Sequence, residues 1–166
     1  MPVLFLSLLL SLLLSGCGLM KSEPKPAAPS WQSVTVVAAE DANGNSAVAV
    51  DVVLVRDKAV LESLLAMPAA RYFAARADLQ RTFPAALTVV SVEITPRQVI
   101  RLDARRFDNA RAWAALAYAQ CANPGEHRAR LLLDNRGYVL QLNAQGMVAT
   151  APGSNPNTNT TPGAAR

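Results

Sequence analysis

The sequence predicts a mainly β domain: a two-layer antiparallel β-sandwich with a short helical insertion after the second strand. Three observations carry this prediction. Short apolar runs recur along residues 31–145, punctuated by Gly, Pro, Asn and Asp, as half-buried strands and their turns require. Apolar residues take up helical spacing over one stretch, between Asp57 and Pro84. The length of 31–145 suits a single compact core.

The chain opens outside that domain. Residues 3–14 are nearly all Val, Leu and Phe, interrupted by Ser7 and Ser11. At about 1.5 Å per residue such a helix reaches roughly 18 Å, short of the roughly 30 Å hydrocarbon core of a bilayer. That length fits the apolar region of a signal peptide over residues 1–16, although no Lys or Arg precedes it. Leu14-Ser15-Gly16-Cys17 ends the run and resembles the bacterial lipobox, in which the cysteine is acylated and becomes the first mature residue. Cys17 is therefore the expected lipidation site. Gly18 stands where an Asp would resemble an inner-membrane retention signal, so the resemblance directs the protein to the periplasmic face of the outer membrane. One acyl chain anchors only marginally, at about 0.8 kcal/mol per buried methylene, but a lipoprotein cysteine carries several. Residues 17–30 hold Pro24, Pro26 and Pro29 and read as an extended tether stiffened by proline. Residues 146–166, rich towards the end in Asn, Thr, Pro and Gly, read as a disordered tail.

Within the domain, Trp31 to Ala39 reads as the first strand. The excursion Glu40, Asp41, Ala42, Asn43, Gly44, Asn45, Ser46, Ala47 follows, with Asn43-Gly44 suited to positive φ. Val48 to Arg56 is the second strand, with Val48, Val50, Val52 and Leu54 on one face. Asp51 falls on the other face with Ala49, Val53 and Val55. The two strands read as a hairpin. Asp57 can cap a helix carrying Val60, Leu61, Leu64 and Leu65. Pro68 suits the first turn of a second helix, whose Tyr72, Phe73, Leu79 and Phe83 form an apolar stripe before Pro84 stops it.

Strands resume at Leu87 to Ile94, turn at Thr95-Pro96-Arg97, and continue at Val99 to Leu102. Ala112 to Ala119 fits strand or short helix, since alanine favours the latter; the β context and Trp113, Leu116 and Tyr118 favour strand. Arg128 to Leu133 and Tyr138 to Leu142 flank Asp134-Asn135-Arg136-Gly137 and read as a second hairpin.

Composition narrows the function. The net charge is +4, and thirteen of the sixteen basic residues are Arg. Eight of these lie from Arg71 to Arg111; they read either as a basic face for an acidic partner or phosphate, or as a solvated surface with scattered ion pairs. The chain has a single histidine, His127, so neither a His-rich metal cluster nor a local Ser–His–Asp set is expected. No phosphate-binding glycine loop is present. The basic stretch lacks interleaved aromatics, which argues against nucleic acid. No catalytic residue, metal or cofactor is expected. Cys121 has no intramolecular partner once Cys17 is acylated, so it is either an inert buried thiol or an intermolecular disulfide.

Taken together, the lipobox, tether, VxVDVVLVRD strand (Val48 to Asp57) and Leu61 to Leu65 helix resemble the outer-membrane lipoprotein of the type VI secretion membrane complex, the SciN/TssJ family. The strand–turn–strand around Glu93 to Val99 matches too, although Thr95-Pro96-Arg97-Gln98 lacks the glycine common at that turn. The resemblance spans residues 14–142. It implies a transthyretin-like sandwich and a structural protein with no enzymatic activity, bound to the periplasmic domain of an inner-membrane subunit. It places a contact on the loop Glu40 to Ala47. An alternative is a periplasmic lipoprotein that binds a small ligand or modulates a cell-wall enzyme.

Overall fold

The computed structural model describes residues 25–152. Cys17, the signal peptide, the start of the tether and the last fourteen residues lie outside that range. Eight strands and two α-helices are described: β1 (Ser33–Ala38), β2 (Val48–Val55), α1 (Lys58–Leu65), α2 (Ala69–Thr82), β3 (Leu87–Ile94), β4 (Val99–Asp103), β5 (Ala114–Ala119), β6 (Arg128–Leu131), β7 (Gly137–Asn143) and β8 (Gly146–Thr150). They form two four-stranded sheets, ordered β4-β1-β7-β8 and β3-β2-β5-β6. The mainly β sandwich with helices inserted after the second strand is as expected. One pair departs from antiparallel order: β1 runs parallel to β7, from Ser33 opposite Gly137 to Ala38 opposite Leu142.

The inner faces of the two sheets make the larger core. Val34 and Val36 of β1 meet Val48, Val50, Val52 and Leu54 of β2, with Leu102, Leu140 and Leu142 beside them. The outer face of the β2 sheet is covered by the helices, and a second core forms there from Val53, Val55, Val60, Leu61, Leu64, Tyr72, Leu116 and Tyr118. This double covering explains why β5 is apolar on both faces and β2 is so except at Asp51. All six residues of β5 are buried, and a strand buried on both sides has no polar face to show. The reading of Ala112 to Ala119 as strand therefore holds over Ala114–Ala119.

The helices are positioned by three contacts. Asp57 caps α1, its carboxylate accepting from Val60 N at 3.0 Å, as expected of an N-cap. Pro68 stands at the N-cap of α2 rather than within its first turn. Of the expected stripe on α2, Tyr72 is buried and Phe73 and Leu79 are half-buried, but Phe83 is exposed. The third contact comes from Asp51, which is 0 % exposed and the one buried charged or polar side chain of the described residues. Tyr72 Oη donates to its carboxylate at 2.8 Å, and Arg76 Nη1 approaches it at 3.3 Å. Tyr72 also stacks on Tyr118, with ring centroids 4.0 Å apart and planes 7° from parallel. Tyr118 Oη in turn donates to the Leu64 carbonyl at 2.9 Å. A buried carboxylate on the sheet thus holds both helices through two phenols.

Connectivity differs from expectation in several places. β1 and β2 are not a hairpin: they lie in different sheets, and residues 39–47 cross between them. Residues 128–142 are not a hairpin either, because β6 and β7 also lie in different sheets. The same is true of β3 and β4 around the Thr95 turn. Alternation is satisfied equally by a hairpin and by strands facing each other across a core. The hairpins formed by consecutive strands are β5–β6, paired from Tyr118 opposite Arg128 to Ala115 opposite Leu131, and β7–β8, paired from Asn143 opposite Gly146 to Val139 opposite Thr150. The sheet therefore runs five residues into the segment read as tail. At the other end, Ala27 and Ala112 exchange 2.9 Å backbone bonds and Ser30 N donates to Leu133 O at 2.7 Å, so the last residues of the expected tether are docked on the domain.

The arginines from Arg71 to Arg111 do not make one face. Arg71, Arg76 and Arg81 are on α2, Arg97 is in the β3–β4 turn, Arg101 is on β4, and Arg105, Arg106 and Arg111 follow it. Gly137 is required by close packing. A Cβ there would lie 2.5 Å from the Ser33 carbonyl oxygen, and its φ is +158°.

Two predictions follow from the buried cluster. Asp51→Ala strands the Tyr72 hydroxyl in an apolar layer, while Arg76, whose side chain is 39 % exposed, can rehydrate. The expected loss is about 2–3 kcal/mol of stability in urea titrations; a change of under about 0.5 kcal/mol would contradict the role assigned to Asp51. Burial, reinforced by the Asp51 charge, raises the Tyr72 phenol well above its ordinary value, and burial does the same for Tyr118. Unfolded tyrosine ionises near pH 10, so this contribution to stability is complete below that pH and falls above it. Phenolate absorption from these two residues should appear together with loss of the far-ultraviolet circular dichroism. Ionisation of both with the dichroism intact would contradict it.

Candidate functional site

The strand registers give the sandwich two poles. At one, β1 ends at Ala38, β7 at Asn143 and β5 at Ala119, while β2, β4, β6 and β8 begin. Residues 39–47, 95–98, 120–127 and 144–145 therefore gather there. The opposite pole receives residues 25–32 and the connections 104–113 and 132–136. Eight residues of β2 at about 3.3 Å each put the poles on the order of 25 Å apart.

The Glu40 to Ala47 excursion is the most built of the loops. Ala42 is fully buried and seats a short 3₁₀ turn, Ala42–Gly44. Asn43, Gly44 and Asn45 take φ values of 49°, 60° and 62°, the left-handed region that Asn and Gly tolerate best. The Asn-Gly signal thus marks a turn, although one that joins two sheets. Asn43 Nδ2 donates to Ala47 O at 3.1 Å, and its Oδ1 accepts from Ala122 N at 2.6 Å. Glu40 pairs with Arg97. Asp41, Gly44, Asn45, Ser46 and Ala47 are exposed. Of the eight expected contact residues, the structure brings all to one surface but turns Ala42 inward and uses Asn43 as a brace.

Neighbouring loops add groups that sequence reasoning missed. Arg97 has φ 67° in the β3–β4 turn, which is bonded to the end of β1 through Arg97 N to Ala38 O at 3.0 Å. Asn123 Nδ2 donates to Gln145 O at 2.9 Å, joining the β5–β6 and β7–β8 connections. His127 is a loop residue, its Nε2 2.9 Å from Asn123 O and its ring packed where a Cβ on Gly146 would fall. Asn43, Ala47, Glu93, Gln120, Cys121 and Ala122 line an open depression of about 440 Å³. Cys121 is half-buried in it, and burial pushes its thiol up, away from the thiolate a nucleophile needs. The turn at Thr95-Pro96-Arg97 was legible as a turn; its contact with Glu40 depends on the sheet crossing.

The pole is acidic. Glu40, Asp41, Glu93 and Glu126 are exposed; of the cations here Arg97 pairs with Glu40 and Arg128 with Glu126 at 3.2 Å, and Arg71 stands in the first turn of α2, so carboxylates outnumber cations. Arg128 also donates to Met67 O at 3.0 Å, and Ala69 N donates to Glu126 O at 2.9 Å, so the turn between the helices braces this pole. Among the described residues no three His, Cys, Asp or Glu side chains come together as metal ligands. The arrangement offers a rigid, polar, negatively charged surface.

No protein-family model matches the chain, and no curated protein matches it in sequence. Solved structures do match. Lip from Serratia marcescens, a membrane-bound component of the type VI secretion system, aligns with a TM-score of 0.50 and 14% identity, over 75% of this chain and 96% of that one. The type VI secretion lipoprotein TssJ1 from Pseudomonas aeruginosa aligns with 0.52 and 16%, over 78% and 99%. A structure described as the TssM C-terminal domain from EAEC aligns with 0.51 and 13%, over 71% and 98%. The chain shares its fold with these type VI secretion components, as the resemblance in its sequence implied.

Proposed function

We propose that this protein is an outer-membrane-anchored periplasmic lipoprotein and a structural component of a type VI secretion membrane complex. Its acidic loop pole binds the periplasmic domain of an inner-membrane subunit. The observation that carries this reading is the fold shared with Lip and TssJ1, both matched over nearly their whole length. The lipobox-like Leu14-Ser15-Gly16-Cys17 supports the anchor. The geometry supports the contact: the described chain begins at the pole opposite Glu40 to Ala47, so the loops stand at the end of the domain away from the tether's attachment. Function concentrates on loops held by a rigid scaffold, and hydrogen bonds from Asn43 fix this one before any partner arrives. A pre-ordered loop loses less conformational entropy on binding.

Replacing Glu40 and Asp41 together by Lys reverses the charge of the pole while leaving Ala42 and Asn43 to hold the turn. Affinity for the partner's periplasmic domain, measured by calorimetry on the folded mature chain, should fall at least tenfold, about 1.4 kcal/mol. Faster dissociation should account for most of the loss. Unchanged affinity in a variant with native circular dichroism would move the interface off this pole.

A further inference from the structure

The pole opposite the loops is basic, and its cations are unspent. Lys25, Arg56, Arg105, Arg106, Arg111 and Arg136 are all exposed, and none makes an ion pair among the described residues. Backbone bonds tie their carriers into one surface. Ala27, two residues after Lys25, is paired with Ala112, next to Arg111. Trp113 N donates to Val55 O at 2.8 Å, which brings Arg56 alongside. Gln32 N donates to Arg136 O at 2.8 Å, and Gln32 O accepts from Ala104 N at 3.2 Å, which sets Arg136 beside Arg105 and Arg106. Lys58 adds a seventh cation, 5.9 Å from the centre of the Trp113 ring. The carboxylates here are fewer and partly engaged: Asp57 caps α1 and Asp103 pairs with Arg101, leaving Asp108 and Asp134.

We infer that this basic pole docks on an anionic phospholipid surface and stands the sandwich upright on the membrane, with its acidic loops outward. The inference shares with the proposed function the lipid on Cys17. Seven residues separate Cys17 from Lys25, and those eight steps, fully extended, reach at most about 28 Å. The tether joins the domain at this pole and so brings it within reach of the headgroups; charge then decides which pole meets them. The pole does not rely on the tether for its orientation: Ala27 and Ser30 are bonded to the domain, and Trp31 is plugged into it, with Nε1 donating to Leu132 O at 2.8 Å. Charge complementarity chooses the occupant. Each basic side chain near an anionic leaflet strengthens attachment several-fold, while Glu40, Asp41, Glu93 and Glu126 at the far pole are repelled by the same surface. A domain with cations at one end and carboxylates at the other is aligned by a charged plane.

The test uses the chain from Gly18 to Arg166, without lipid, so that the pole is measured apart from the anchor. Whether Cys17 is acylated is read separately by fatty-acid labelling in cells. At roughly 20 mM ionic strength, where screening extends on the order of 20 Å, the chain should co-sediment with phosphatidylglycerol vesicles and not with phosphatidylcholine vesicles. Arg105→Glu with Arg106→Glu should weaken that binding at least tenfold, and Arg111→Glu with Arg136→Glu should do the same with native circular dichroism. Arg97→Glu, at the opposite pole, should change it less than twofold. No binding to phosphatidylglycerol, equal binding to both lipids, or equal loss in the Arg97 variant would overturn the inference.

Discussion

A single carboxylate inside β2 holds the helical layer of this protein in place. Asp51 has no contact with water, and a buried charge of that kind is tolerated only when its oxygens are fully engaged. Tyr72 and Arg76 supply those partners from α2, and the Tyr72–Tyr118 stack extends the connection to the end of α1. α1 runs from the basic pole towards the loop pole and α2 returns. The turn between them is gripped by Arg128 and by the Glu126 carbonyl. The constraint placed at Asp51 is therefore felt at the surface where the loops gather, and the same layer that buries Val53 and Val55 keeps that surface rigid.

Bracing and polarity together fit the scaffolding role proposed for the molecule. The cysteine at the depression is half-buried with a raised thiol pKa, and the histidine is packed against Gly146 and bonded to a backbone carbonyl. Neither is prepared for chemistry. The ends of the sandwich differ instead in charge, with paired and unpaired carboxylates at one and free cations at the other. An electrostatic difference across on the order of 25 Å gives a small domain a direction.

Much of the fold was legible because alternation reports which face of a strand is buried. The faces of β2, the cap at Asp57, the span of the helices and the strand character of the alanine-rich β5 were all readable from local pattern. Partner choice was not. Val34 and Val36 can meet Val50 and Val52 as hairpin neighbours or across a core, and the pattern is the same in both cases. β8 escaped notice because Met147 and Ala149 are its apolar contribution to the core's edge, too little to separate it from the polar tail. Asp51 was placed on the correct face, but its partners are a turn of helix and more than twenty residues away, so no local signal could join them. The loop at Glu40 to Ala47 was visible as a polar excursion; the bracing by Asn43, Arg97 and Ala122 emerges only when three connections meet.

The central claim is that the loop pole is the working surface. Site-specific photo-crosslinking in the native cell tests it most directly, with a photoreactive residue placed at Asn45 on the loop pole or at Asn135 on the opposite one. The account predicts a discrete protein adduct from position 45, containing an inner-membrane subunit, and none from position 135. A protein adduct from position 135 with none from position 45 would contradict it.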